Sequence, residues 1–234
     1  HAVPTLLALL AQDVPSLRTI NLGGEMCPPA LVERWARPGR QLFNTYGPTE
    51  ATVSASLAEL HAGEPITIGR PLPNYSLLVI APSAESGLTL MPRGEVGELC
   101  ITGPGVATGY LGRPDLTAEK FLPNPWSQSQ HDTRLYRTGD LARIDADGCV
   151  QCLGRTDDQV KIRGFRVELG EIESALADQA GVAATAVVLR AEDGIDQLIA
   201  FITPDTGATL SGSALRAALG RRLPPYMVPG YFET

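Results

Sequence analysis

The chain is short of cysteine, of basic charge and of long apolar runs, and each shortage excludes a class of protein. Four cysteines in 234 residues are too few to staple a disulfide scaffold of this size. Nineteen Lys and Arg stand against 26 Asp and Glu, a net charge of −7. That balance argues against a nucleic-acid partner, which favours a basic face. No apolar run reaches the ~18 residues of a membrane helix, and Leu6–Leu10 reads as core. The opening HAVPTLLALLAQ has neither a basic start nor a small-residue cleavage site, so it does not read as a signal peptide. There is no internal repeat and no low-complexity tract. His1, His61 and His131 share no catalytic context. Cys149 and Cys152 form a lone CxxC on an expected strand, where side chains three apart face opposite ways. No second pair completes a zinc site.

An apolar content of 44% with 19% charged residues describes a soluble globular chain. The length allows one large domain or a medium one with a small one. There is no initiator Met, and Phe232-Glu233-Thr234 ends the chain without closing structure. We read it as an excerpt of a longer protein.

The expected fold is α/β, then a β-rich, barrel-like subdomain, then a small α+β domain. Residues 4–11 and 28–36 read as helices around a strand at 17–22, and Gly23-Gly24 follows that strand. This alternation suggests a parallel sheet. Past Glu50, short strands are expected at 66–68, 76–80 and 95–102, with a short helix at 114–120. A hairpin joins 141–144 to 149–153 through Asp147-Gly148, and 126–133 reads as a polar loop. Beyond Asp158 come a helix at 170–178, strands at 182–189 and 197–203, and a helix at 213–221. The expected divisions are 1–60, 61–154, a joint at 155–158, and 159–234.

The densest segment is GRTDDQVKIRGFRVELGEIE at 154–173. Val160, Ile162 and Val167 alternate like strand residues around Gly164. Leu169, Ile172 and Leu176 then share a helix face. A basic glycine turn between a polar joint and a new helix suggests a module that moves against what precedes it. Four more segments stand out: NTYGPTE at 44–50, GELCITGPGVATGYL at 97–111, YRTGDL at 136–141 and LPPYMVP at 223–229.

In this order the five segments resemble signature motifs of the adenylation domains of nonribosomal peptide synthetases. Those domains belong to the adenylate-forming superfamily, with acyl-CoA synthetases and luciferases. The resemblance covers nearly the whole chain. It implies an ATP- and Mg²⁺-dependent ligase that forms aminoacyl-AMP and passes the acyl group to a phosphopantetheine thiol on a carrier domain. Such an enzyme neutralises charge on several phosphate oxygens. Tyr46 offers adenine a flat face, with Asn44 beside it. Thr49 offers a hydroxyl to phosphate, and Glu50 a hard oxygen ligand for Mg²⁺. The carboxylate of Asp140 can accept from both ribose hydroxyls, and Arg155 can reach ribose or phosphate oxygens. Gly24 lets backbone approach the nucleotide. Asn21, Gly23, Thr45, Val53 and Ser54 match positions lining the amino-acid pocket, here roomy and partly polar. Asp157 matches the hinge. Lys161 and Gly164 match a loop that enters the active site for thiolation, with Gly164 on the carrier-arm tunnel.

The resemblance further implies neighbouring synthetase domains, a small MbtH-like activator and a cytoplasmic setting. Thr108 stands where GVARGY has Arg. The family's phosphate loop is expected before residue 1, as is the Asp that grips the substrate ammonium. The family's adenylation lysine is expected after Thr234. The 234 residues alone are therefore expected to be inactive. Two other readings stay open: an acyl-CoA or aryl-acid ligase on the same fold, and a non-catalytic docking remnant.

Overall fold

A computed structural model describes residues 1–81, 87–192 and 195–233. Thr234, the last residue of the expected small domain, lies outside them. The chain divides into two compact units, His1–Asp157 and Asp158–Thr234.

The first unit begins with α1 (Pro4–Ala8), β1 (Thr19–Gly23), α2 (Pro29–Trp35) and β2 (Gln41–Tyr46). Proline opens both helices, where its missing N–H is no loss. At the start of α1, the Glu25 carboxylate accepts from Thr5 N (2.9 Å) and Thr5 Oγ1 (2.6 Å). β1 and β2 run parallel. β3 (Ser56–Leu60) and β4 (Arg70–Pro71) then add antiparallel neighbours, in the order β1-β2-β3-β4. The sheet is therefore mixed, and only its first pair follows the parallel pattern expected. Leu22, Val32, Trp35 and Leu42 pack at its core.

A second sheet follows: β5 (Ser76–Ile80), β6 (Gly97–Thr102), β7 (Phe121–Pro123), β8 (Arg134–Ile144) and β9 (Val150–Arg155). Its order is β5-β6-β8-β7, with β9 also on β8. It is β-rich as expected, and among the described residues its antiparallel pairs form an open path with no closed barrel. α3 (Pro114–Lys120) precedes β7. Residues 66–68 form no strand. Their backbone serves other partners: Asn44 Nδ2 donates to Thr67 O (2.8 Å), and Ile68 N to Val150 O (2.8 Å).

The second unit opens with β10 (Gln159–Ile162) and β11 (Phe165–Glu168), an antiparallel hairpin. Arg163 (φ 51°) and Gly164 (φ 80°) make its two-residue turn. Two positive φ values in a row are what a type I′ hairpin turn requires. α4 (Leu169–Ala177) buries Leu169, Ile172 and Leu176, one stripe at helical spacing. β12 (Val182–Glu192) and β13 (Ile195–Pro204) pair antiparallel. α5 (Gly212–Leu219) precedes β14 (Tyr231–Glu233), which lies parallel to β13. Phe165 stacks flat on Tyr226, with ring centroids 4.1 Å apart and planes 6° from parallel. The unit has its own core around Ile172, Leu176, Ala200 and Leu219. Among the described residues, no helix is long and apolar enough to cross a membrane.

Candidate functional site

The last residues of β2 and β9 and the middle of β8 bring Tyr46, Arg155 and Asp140 together. Tyr46 closes β2 and is buried. Asp140 lies in β8, opposite Arg155 in β9. The Tyr46 hydroxyl donates to Asp140 Oδ2. Arg155 Nη1 donates to Asp140 Oδ1 at 2.7 Å. The same guanidinium donates from Nε and Nη2 to the two carboxylate oxygens of Asp157, at 2.6 and 2.8 Å. Burial, then the negative charge of Asp140, pushes the Tyr46 phenol well above the usual tyrosine range. The phenol therefore stays a donor. Burial opposes the Arg155 charge, but the bonds to Asp157 and the charge of Asp140 outweigh it and raise its pKa.

Asp140 is presented by a bulge. Cys100 of β6 faces Arg137 of β8, and Glu98 faces Leu141. Two steps along β6 thus run beside four along β8, and residues 138–140 stand opposite Leu99 alone. Bulges re-aim side chains in this way. Gly139 sits at φ +76°, and a Cβ there would meet Arg155 Nη2 at 2.7 Å, so glycine lets the guanidinium approach the turn.

The segment after Tyr46 is clamped by Tyr75 and by residues 105–110. Thr49–Ala51 form one 3₁₀ turn. Thr52 and Val53 follow in the left-handed region (φ 58° and 71°). Ala107 N donates to Glu50 O (2.8 Å), Thr52 Oγ1 to Gly105 O (2.8 Å) and Tyr75 OH to Ala51 O (2.9 Å). Glu50 is buried, and its Oε1 accepts from Tyr110 OH at 2.6 Å. Burial, then the bond to Glu50, raises the Tyr110 phenol. Thr49 is exposed. Asn44 is buried and held to Thr67.

The residues matched to the amino-acid pocket fall into two groups. Asn21, Gly23 and Thr45 share one face of the β1–β2 pair, with Gly23 opposite Thr45. A Cβ at Gly23 would lie 2.6 Å from Thr45 Oγ1. Thr45 Oγ1 donates to Leu22 O at 2.9 Å, and Asn21 Nδ2 bonds His1 Nδ1 at 2.9 Å. Gly24 turns the chain at φ +83°. Val53, 74% exposed, lies on the left-handed turn, and Ser54 follows it. Lys161 lies in the second unit, opposite Arg166 in the β10–β11 hairpin, and Gly164 is in its turn.

Among the described residues, no group of three or more His, Cys, Asp or Glu side chains is placed to hold a metal ion. Among the described residues, no disulfide joins any of the four cysteines. Glu98, Arg137, Thr138 and Tyr110 belong to the site's frame and were not singled out from the sequence. The available signal was the acid in GELCIT and the arginine in YRTGDL.

A Tyr–Asp–Arg cluster joining two sheets, followed by a small separate unit, is an arrangement in keeping with an adenylate-forming class of enzyme. Residues 1–111 match the AMP-binding enzyme family, and residues 171–234 the AMP-binding enzyme C-terminal domain. The chain belongs to the AMP-binding enzymes, on the side of the family that holds nonribosomal peptide synthetase adenylation domains. It is 66% identical over 235 residues to delta-poly-L-ornithine synthetase of Acinetobacter baumannii, covering all of this chain and 17% of that one. It superposes with TM-score 0.85 and 28% identity on holo-PA1221, an adenylation and carrier protein bound to a vinylsulfonamide inhibitor. That match covers all of this chain and 40% of the other. AlmE of Vibrio cholerae, solved with glycyl-adenosine-5'-phosphate, matches at TM-score 0.84 and 30% identity over 99% of this chain and 45% of that one. The chain thus spans less than half the length of these relatives.

Proposed function

We propose that the chain is part of an amino-acid-activating enzyme. The amino-acid carboxylate attacks the α-phosphate of ATP, pyrophosphate leaves, and aminoacyl-AMP remains. A phosphopantetheine thiol on a carrier domain then attacks the acyl carbon, and AMP leaves. The observation that carries this reading is the meeting of a flat ring, a carboxylate and a guanidinium at Tyr46, Asp140 and Arg155.

In this reading Tyr46 supports adenine, with Asn44 at its edge. Asp140 accepts from the ribose hydroxyls, and Arg155 stabilises it and reaches toward ribose or phosphate. The exposed Thr49 hydroxyl donates to a phosphate oxygen, and Gly24 gives backbone room beside it. Asn21, Gly23, Thr45, Val53 and Ser54 contribute to the amino-acid pocket. Lys161 and Gly164 serve the thiolation step, and Asp157 is the hinge.

A single buried carboxylate, Glu50, fits Mg²⁺, which is commonly held by one or two carboxylates together with substrate phosphates. Bound there, the ion would neutralise phosphate charge. The likeness to a polyornithine synthetase makes an ornithine-like basic amino acid the first substrate to test. The experiment is amino-acid-dependent ATP–pyrophosphate exchange by the full-length parent across a panel of amino acids, followed by loading of its carrier. Exchange with at least one amino acid and loading of the carrier thiol are expected. Thioester formation on free coenzyme A with no carrier loading would overturn the carrier reading. No exchange with any amino acid would overturn the activation reading.

A further inference from the structure

The bulge that presents Asp140 rests on a buried carboxylate with no part in the roles assigned above. Glu98 is 2% exposed, inside a β6 strand whose six residues are all buried. Its Oε2 accepts from Arg137 Nε (3.0 Å) and from Nη2. Its Oε1 accepts from Gly139 N at 3.2 Å. Beside it, Thr138 Oγ1 donates to Leu99 O (2.7 Å) and accepts from Asp140 N (3.0 Å). A carboxylate this deep is costly unless it is paired and hydrogen-bonded. Here the donors on its two oxygens are Arg137 at the start of the bulge and Gly139 at its middle. Pulling both onto one carboxylate fixes the path of 137–139 and so the direction of the next side chain, Asp140.

We propose that Glu98 is a positioning residue for the nucleotide seat. It aims Asp140 at Tyr46 and Arg155 and touches no ligand itself. This rests on the reading of Asp140 as the ribose acceptor. A residue that works only through Asp140 has nothing left to position once Asp140 is gone, so the two substitutions are non-additive.

The test uses the full-length parent carrying Glu98→Ala, Asp140→Ala and the pair. KM for ATP and KM for the amino acid are measured by pyrophosphate exchange, with thermal unfolding in parallel. Glu98→Ala is expected to raise KM for ATP at least fivefold and to leave KM for the amino acid within twofold. In the Asp140→Ala background it adds less than twofold. Should Glu98→Ala fail to fold, Glu98→Gln carries the same cycle. Its single carbonyl oxygen serves Arg137 or Gly139 but not both, so a smaller rise with the same non-additivity is expected. Equal rises in both KM values, or independent effects in the double variant, would overturn the proposal and leave the ribose reading standing. An unchanged KM for ATP in Asp140→Ala alone would overturn that reading and this proposal with it.

Discussion

Arg155 grips Asp157 with two parallel hydrogen bonds, at 2.6 and 2.8 Å. Between them in sequence, Thr156 donates from both N (2.8 Å) and Oγ1 (3.0 Å) to Gly139 O. The chain is therefore sewn to the Thr138–Asp140 bulge up to Asp157, the last residue of the first unit. A side chain proposed as hinge is held by the guanidinium that also holds the proposed ribose acceptor.

The first prediction concerns that joint. Proline fixes φ near −65° and removes the N–H, so Asp157→Pro in the parent should trap one arrangement. Most pyrophosphate exchange is expected to survive and most carrier loading to be lost. Asp157→Asn, which keeps the backbone free but weakens the grip of Arg155, should retain carrier loading. Both steps are to be measured on one preparation. Equal losses of exchange and loading in the proline variant would point to misfolding.

The second prediction concerns Asp140. Asp140→Ala removes the proposed ribose acceptor, and each hydroxyl bond to such a carboxylate is worth ~1.5–3 kcal/mol. That is about tenfold or more in affinity. KM for ATP should rise accordingly, with little change in KM for the amino acid. Steady-state exchange kinetics decide it, and an unchanged KM for ATP would leave Asp140 as a turn residue only.

The third is a pH dependence. Burial, then Asp140, raises the folded pKa of Tyr46, while the unfolded phenol ionises near ~10. Below that pH the contribution is fully present. Above it the unfolded chain sheds a proton that the folded one keeps, so stability falls by up to ~1.4 kcal/mol per pH unit for this one group until the folded pKa is reached. Urea midpoints of the 234-residue chain at pH 8, 10 and 11 should drop more steeply than those of Tyr46→Phe. Parallel pH curves would contradict the shift.

The fourth uses the separate cores. Ile172 is fully buried in the second unit. Ile172→Ala should cost about 2–5 kcal/mol there and leave the first unit unmoved. Hydrogen exchange resolved by segment will tell. Matching loss of protection at Leu22 and Leu99 would mean that the two units unfold together.

The sequence carried the units whose local chemistry agreed with their surroundings. Pro114 opens a helix that ends at Lys120, as 114–120 implied. The 159–168 hairpin follows from alternating Val and Ile around Gly164. β3 escaped because it opens against hydrophobicity, with Ser56 buried and Leu57 exposed. The 66–68 stretch reads as a strand by composition, yet Thr67 O is taken by the Asn44 side chain. β8 extends back to Arg134, well before 141, because a bulge absorbs Thr138–Asp140 within the strand. In the candidate site, Tyr46, Asp140 and Arg155 were legible from their motifs, and the structure sets them in one hydrogen-bonded chain. Glu98 was not, since an acid inside GELCIT declares no partner until β8 lies against β6.

Phe165 and Tyr226 lie face to face across the second unit. One belongs to the hairpin that carries Lys161, the other to LPPYMVP, far along the chain. The ring stack ties these two distant stretches to each other. A dye attached beside Tyr226 is therefore expected to report any displacement of the glycine turn without touching it.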